Sequence, residues 1–377
     1  MKIKKSLNLE VLLKLGLILF ILSCSNTFLL KDFSETGWKM YRGDTFNTGF
    51  IQENLGTKLG LLWKFKTGGG IISTCLVTDQ LLIIGGLDKR LYFIDPQTGK
   101  KLKVLSFSGG IACTPVLKDS LLLFGTQRGG DSFYALNLKN FKTIWEKKLK
   151  DIHSSPIINK GKIFIGTGDG SIRVLDLKGG KELWQFKTQE VIKASAVLDS
   201  VWLWLGSLDT YMYCLSQKTG ELIWKFKTGG GIYSSAAIDD QNIYFGSADG
   251  RIYALDKNTG SKIWSFGTQA PVYSSPALSE SLLYIGSNDR SLYALSKATG
   301  EKVWSFTCQS LIHSSPIVVG DKLAFGSLDG NFYVLDKDTG KLFFKYATAG
   351  MIKASPAYHK GRFYLGSYDR HLYCWGK

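Results

Sequence analysis

The sequence predicts an all-β protein: an eight-bladed β-propeller of four-stranded antiparallel blades, closed by pairing of its N-terminal and C-terminal strands. Three observations lead there. The run "LYALSKATGEKVWSF" at 292–306 is echoed by "IYALDKNTGSKIWSF" at 252–266 and "FYVLDKDTGKLFFKY" at 332–346. Two anchors each occur eight times at a period near forty. The repeat begins and ends out of phase with a whole unit. Fixed-period self-similarity in β-rich sequence is the mark of a repeat architecture, and it outweighs the two or three domains that 377 residues would otherwise suggest.

The first anchor is a Trp-x-Phe strand: Trp63, Trp145, Trp184, Trp224, Trp264 and Trp304, with Leu105 and Phe344 in equivalent places. The second is the aspartate of a "GSxD" turn: Asp88, Asp131, Asp169, Asp209, Asp249, Asp289, Asp329 and Asp369. Each copy resolves into four short strands, seen clearly at 272–306. "VYSSPAL" is the innermost strand A, "LLYIGS" is B, "SLYALS" is C and "EKVWSF" is the outer strand D. "NDR" turns B into C and "KATG" turns C into D; the Asp bonds its own turn backbone, and the Gly supplies positive φ at a hairpin bulge. Strands B and C are apolar on both faces, as stacking between neighbouring blades requires.

The phase of the ends sets the closure. The repeats open with a D-type strand, "LLWKFKT" at 61–67, and finish with a C-type strand, "HLYCWGK" at 371–377. Pairing the two completes an eighth blade and removes an exposed sheet edge. The propeller is expected over 58–377, after a signal at 1–23 and a tether and lead-in segment at 24–57.

"MKIKK" followed by the short apolar run "LGLILFILS" at 15–23 describes an export signal, and the run is short for a membrane span. Ile21-Leu22-Ser23-Cys24 resembles a bacterial lipobox, which implies cleavage before Cys24 and acylation of that residue. The alternative is an ordinary signal with an incidental cysteine. Acyl chains would hold the protein stably at a membrane surface. Ser25 is not an aspartate, which by the enteric sorting rule implies the outer membrane, facing the periplasm.

The net charge is +16, with +3 in residues 1–23. The lysines are scattered through the repeats, as in "WKFKT", which reads as a solvated rim or, alternatively, as a surface for an anionic partner. No basic run or RNA-binding aromatic motif points to nucleic acid. Beyond Cys24, five cysteines remain: Cys75, Cys113, Cys214, Cys308 and Cys374. Their odd number and wide spacing argue against a disulfide framework or a zinc site, and they read as core fillers, with a Cys75–Cys113 bridge as the alternative.

"ALDKNTGSKIW" at 254–264, "ALSKATGEKVW" and "CLSQKTGELIW" resemble the tryptophan-docking motif of the PQQ-like, quinoprotein-type propeller repeat family. The resemblance implies eight blades locked by indoles, here Trp184, Trp224, Trp264 and Trp304, each filling the wedge between splayed sheets. Copies one, two, three and seven depart from it at Lys103-Val104-Leu105, Asn140-Phe141, Gly179-Gly180 and Phe344. "GWKMYRGDTFNTG" at 37–49 is similar to the segment that leads into such repeats. Quinoprotein dehydrogenases carry long insertions and adjacent cysteines that this chain lacks, so no cofactor and no metal is expected. The eight aspartates lie one per blade rather than converging as a calcium site needs.

With its lipobox and minimal blades the chain also resembles BamB-type outer-membrane assembly lipoproteins. That resemblance implies a non-enzymatic scaffold binding envelope proteins, with the barrel-assembly machinery as the expected partner. The alternative is a propeller that binds PQQ or another small ligand at its channel mouth, as a dehydrogenase-like protein or a sensor. The candidate residues for that mouth occupy the x of Ile-x-Ser-Ser-Pro in strand A: His153, Lys193, Tyr233, Tyr273, His313 and Lys353, with Ile72 and Ala112 completing the ring. The ring could take an anionic or planar ligand or an acidic partner segment, or simply line a hydrated channel. No catalytic residue is assignable: the histidines at 153, 313, 359 and 371 have neither metal spacing nor a partnered nucleophile. "GTGDG" at 166–170 falls in a B-to-C turn, not in a phosphate loop opening a helix.

Overall fold

The computed structural model describes residues 37–53, 55–56 and 58–377; the signal, Cys24 and most of the tether lie outside them. The described chain folds as eight four-stranded antiparallel blades around a central axis. Blades 1 to 7 each use four consecutive strands, from Leu76–Ser106 in blade 1 to Ile317–Ala347 in blade 7. Blade 8 takes its A, B and C strands from the C-terminus (Ala357–His359, Arg362–Gly366, His371–Gly376) and its D strand from the N-terminus (Gly60–Lys66). The two ends run antiparallel with Trp63 opposite Cys374 and Lys66 opposite His371. The ring therefore closes through backbone hydrogen bonds, as the phase of the repeat predicts.

Strand A departs from expectation. In blade 6 only Ala277–Leu278 pairs with strand B, and the preceding "VYSSP" is not sheet. Near the axis eight backbones converge, and this segment bonds sideways instead: the Ser275 N–H donates to Ser315 Oγ of the next blade at 2.9 Å. The motif's isoleucine packs outward. Ile312 sits on Gly286 of the preceding blade, where an added Cβ would come within 2.3 Å of its Cγ2. That contact explains the glycine that ends every strand B, from Gly85 to Gly366, better than any turn requirement.

The blades stack through their apolar faces, with most of strands B and C buried. On the outside, Trp264 lies against Gly300 of the next blade and donates from Nε1 to the Lys297 carbonyl at 2.8 Å. Trp184, Trp224 and Trp304 make the same bond to the carbonyls of Gln217, Lys257 and Lys337. Trp63 bonds the Pro96 carbonyl and packs on Gly99, and Trp145 packs on Gly180, so docking extends to two tryptophans outside the sequence motif. The five cysteines are buried and free, which excludes the Cys75–Cys113 bridge.

The repeated aspartates are knots within the ring. Asp249 accepts the Arg251 N–H of its own turn, the Tyr253 hydroxyl at 2.7 Å, and the Gly229 N–H from the corner that enters its blade. Asp209, Asp289, Asp329 and Asp369 repeat this pattern. Asp169 instead pairs with Arg173 at 2.7 Å.

Candidate functional site

The channel is shaped from its middle outward. The second Ser or Thr of each strand-A motif faces the axis, and seven of these hydroxyl oxygens accept a backbone N–H from the preceding blade. The chain of bonds runs Thr74 to Thr114, Thr114 to Ser155, Ser155 to Ser195 and onward to Ser355. Each accepted N–H polarises the hydroxyl, leaving its proton available to an acceptor on the axis.

Below this ring the channel is sealed. Residues 38–51 wind around the axis in blade order and give their carbonyls to the free inner edges of the A strands. Trp38 receives from Val77, Lys39 from Leu117, Thr45 from Leu198, Phe46 from Ile238, Thr48 from Leu278 and Gly49 from Val318. Phe50–Ile51 even adds a short parallel strand to blade 7. Two side chains fill the centre. Arg42 is 1% exposed and donates to the carbonyls of Pro276 and Pro316. Asn47 donates from Nδ2 to those of Ala196 and Ala236 at 3.2 and 3.1 Å. Above them Tyr41 meets Ser275 and Ser315 of the hydroxyl ring at 3.0 and 3.3 Å, forming a floor.

Above the ring lies a cup of about 400 Å³. All eight x positions line it, including each of His153, Lys193, Tyr233, Tyr273, His313 and Lys353, and Arg128 joins them from the B-to-C turn of blade 2. None of the lining side chains is acidic. Blades 4 to 8 make a continuous arc. The Lys193 ammonium lies 5.3 Å from the Tyr233 ring, Tyr233 packs on Tyr273 at 4.5 Å, and Tyr273 meets His313 edge-on at 5.3 Å. Lys353 stands at the far end of the arc.

The electrostatics follow from this enclosure. Burial, then the charge of Lys353, lowers the His313 pKa from 6.5 to about 4, so its ring is neutral near pH 7. Burial also lowers His153, against the pull of Asp151, whose carboxylate sits 3.1 Å from its Nε2. Lys353 is an exposed lining residue, yet desolvation by the walls and the like charges of Lys193 and Arg128 lower its pKa. The cup is thus a cationic, donor-rich cavity with one mouth.

The other residues singled out in the sequence lie elsewhere. His359 pairs with Asp79 at 2.8 Å and His371 with Asp369 at 3.4 Å, and neither lines the cup. "GTGDG" is the B-to-C turn of blade 3. Sequence reasoning missed the hydroxyl ring, Arg128 and the sealing segment. The ring had a visible signal, since every motif carries Ser or Thr at that position from Thr74 to Ser355.

The family described as "Beta-alanine-activating enzyme, beta-propeller" matches residues 131–327, just over half of the chain. Among curated proteins, the quinoprotein alcohol dehydrogenase PedH of Pseudomonas putida is 31% identical over 176 residues, covering 39% of this chain. The aligned part spans only 28% of that relative's own length. Among solved structures, the quinohemoprotein alcohol dehydrogenase of Comamonas testosteroni superposes with a TM-score of 0.78 at 14% identity, covering 90% of this chain and 80% of that one. BamB of Moraxella catarrhalis superposes with a TM-score of 0.69 at 19% identity, covering 85% of this chain and 100% of that one. At these identities the structural likeness establishes the propeller fold.

Proposed function

This chain belongs to the β-propeller family described as "Beta-alanine-activating enzyme, beta-propeller", and from that premise we propose that it is a non-enzymatic binding propeller of the cell envelope. In this reading Cys24 anchors it to the outer membrane, facing the periplasm, and it serves as a scaffold for envelope proteins in BamB-like barrel assembly. The carrying observation is the rim. Every blade ends in a D strand with a free outer edge, and the residue before the docking tryptophan repeatedly exposes an aliphatic side chain: Ile144 at 53%, Leu183 at 46%, Ile263 at 48% and Val303 at 53%. A free edge with an apolar side chain in fixed register suits an extended strand of a partner, which gains main-chain hydrogen bonds and a hydrophobic contact together. The BamB likeness, spanning all of that chain, supports the same reading.

The test is photo-crosslinking in native membranes from probes at Leu183, Ile263 and Val303. Capture of a barrel-assembly subunit, lost when Cys24→Ala abolishes fatty-acid labelling and membrane anchoring, is expected. No reproducible partner at any rim position would overturn the scaffold reading.

A second reading, PQQ or another small ligand in the channel, is favoured by the cationic cup. The fit is incomplete. Arg128, Lys193 and Lys353 suit the carboxylates of such a quinone, but calcium requires several oxygen ligands in one sphere, and the lining side chains supply no carboxylate.

A further inference from the structure

We propose that the cup is a binding site for a phosphate-type oxyanion held between Lys193 and Lys353 over the hydroxyl ring. The inference is independent of the rim and of any partner protein. It stands on three features of the cavity.

The first is convergence of charge. Lys193 and Lys353 come from blades 4 and 8, on opposite sides of an eight-fold ring, and both line the same cavity with Arg128. Among the described residues none of the three forms an ion pair, although charged residues elsewhere in the protein do. Asp151, two residues from the lining His153, is engaged by it and is not itself part of the lining. Three unneutralised cations around one enclosed space repel one another, and an anion between them relieves that repulsion.

The second is the floor. Each linked hydroxyl already accepts an amide proton; Ser275 and Ser315 also meet Tyr41, and the others, from Thr114 to Ser235 and at Ser355, keep their own proton for an acceptor above. A surface of donors below and cations beside discriminates against cations and neutral acceptor-poor molecules. It suits a group with several acceptor oxygens on one centre, since ring hydroxyls and ammoniums approach it from different directions. The third is the closed end. Arg42 and Asn47 bar passage below Tyr41, so an anion entering from the loop face has no exit but the mouth and meets the wall on every side. A cavity of about 400 Å³ exceeds a bare phosphate, leaving room for a second phosphate or a polar body against the Tyr233–Tyr273–His313 arc.

The experiment is calorimetric titration of the full chain in detergent, near neutral pH and at low salt, with inorganic phosphate, pyrophosphate and a hexose phosphate in parallel. One saturable site is expected, with pyrophosphate or the hexose phosphate tighter than the free ion. Removing one charge-assisted contact in Lys193→Gln or Lys353→Gln should weaken binding about tenfold, and removing both should weaken it about a hundredfold. Lys218→Gln removes the same charge from an exposed turn and should leave affinity unchanged. Circular dichroism and melting temperature of each variant establish that it is folded. A hexose phosphate tighter than phosphate makes the ligand an organic phosphate; equal affinity makes it the free ion. The proposal is overturned if the folded wild-type protein shows no saturable binding of any probe, or if the double variant binds as well as wild type.

Discussion

The two ends of the channel are made from the same repeat and behave as opposites. At the sealed end, the A strands present peptide groups that every blade shares, and a single non-repeating run of residues from 38 to 51 accepts from those of blades 1, 2, 4, 5, 6 and 7. At the open end, the same strands present the position where the blades differ most in chemistry, from Ile72 to Lys353. Backbone symmetry is used for closure, and in the proposed anion site side-chain asymmetry is used for recognition. A ring of identical blades would enclose a channel with eight equal walls. This one has an arc of two lysines and three rings from blade 4 to blade 8, and Ile72, Ala112 and His153, with Arg128 from a turn, across from it. What the protein recognises is therefore to be sought where the repeat breaks its own rule, and what holds it together where the rule is kept.

The sharpest way to break that division is at the seal. Arg42→Ala would leave the Pro276 and Pro316 carbonyls without donors in a buried site and open a void under Tyr41. Unsatisfied buried acceptors and a cavity together cost about 3–5 kcal/mol, seen as a drop in the midpoint of denaturant unfolding. If the seal is only a closure, Arg42→Ala should lose far more stability than Lys193→Gln or Lys353→Gln, which leave no buried partner behind. Equal losses at both ends would dissolve the distinction.

A smaller effect is expected where the repeat rule is followed at the rim. Gly300 has φ of +74° and supports the Trp264 ring, which a Cβ there would approach to 2.6 Å. Gly300→Ala therefore combines backbone strain with overpacking, for a loss of about 2–3 kcal/mol in thermal or chemical unfolding. The cup should keep its ligand affinity, because the contact lies at the outer strands. A change of affinity in Gly300→Ala would mean that rim and channel are mechanically coupled.

The rim and the blade count were legible in the sequence for the same reason that the seal was not. Trp264, Gly300 and Asp249 act through their own side chains or their own φ, and each recurs at about forty residues, the aspartate eight times and the tryptophan and glycine six times each. The x residues were legible because strand A has a known place in a propeller, which put Lys193 and His313 on one ring before any contact was visible. Strand A itself proved shorter than its apolar pattern, since "VYSSP" bonds to the neighbouring blade. The seal works mainly through carbonyls of residues such as Lys39, Thr45 and Thr48, and a carbonyl leaves no trace in residue identity. Arg128 stayed hidden because its turn, "TQRGGD", departs from the "GSxD" form of most copies, and only the fold brings it over the channel.

The smallest effect separates the cup from the seal by pH. His313 titrates at about 4 in the folded protein, against 6.5 when unfolded, because the cup walls and Lys353 disfavour its charged form. Between those values the unfolded chain binds a proton that the folded chain refuses. Stability from this group is thus fully present above pH 6.5 and is lost as pH falls towards 4. The ring borders a cup open to solvent, so the loss is about 1–2 kcal/mol rather than the full value of the shift. His153 is lowered in the same sense and leaves a residual slope in the same window, softened by Asp151. His313→Gln should flatten the dependence of unfolding free energy on pH between those limits, whereas Arg42→Met should shift the whole curve down without changing its slope there. A bound oxyanion would favour the imidazolium through the same enclosure that now opposes it. Saturating pyrophosphate is therefore expected to raise the His313 pKa, followed by its imidazole proton resonances, and to flatten the wild-type curve as His313→Gln does. A His313 titration unmoved by pyrophosphate would place the anion away from blade 7 and confine the site to the Lys193 side of the arc.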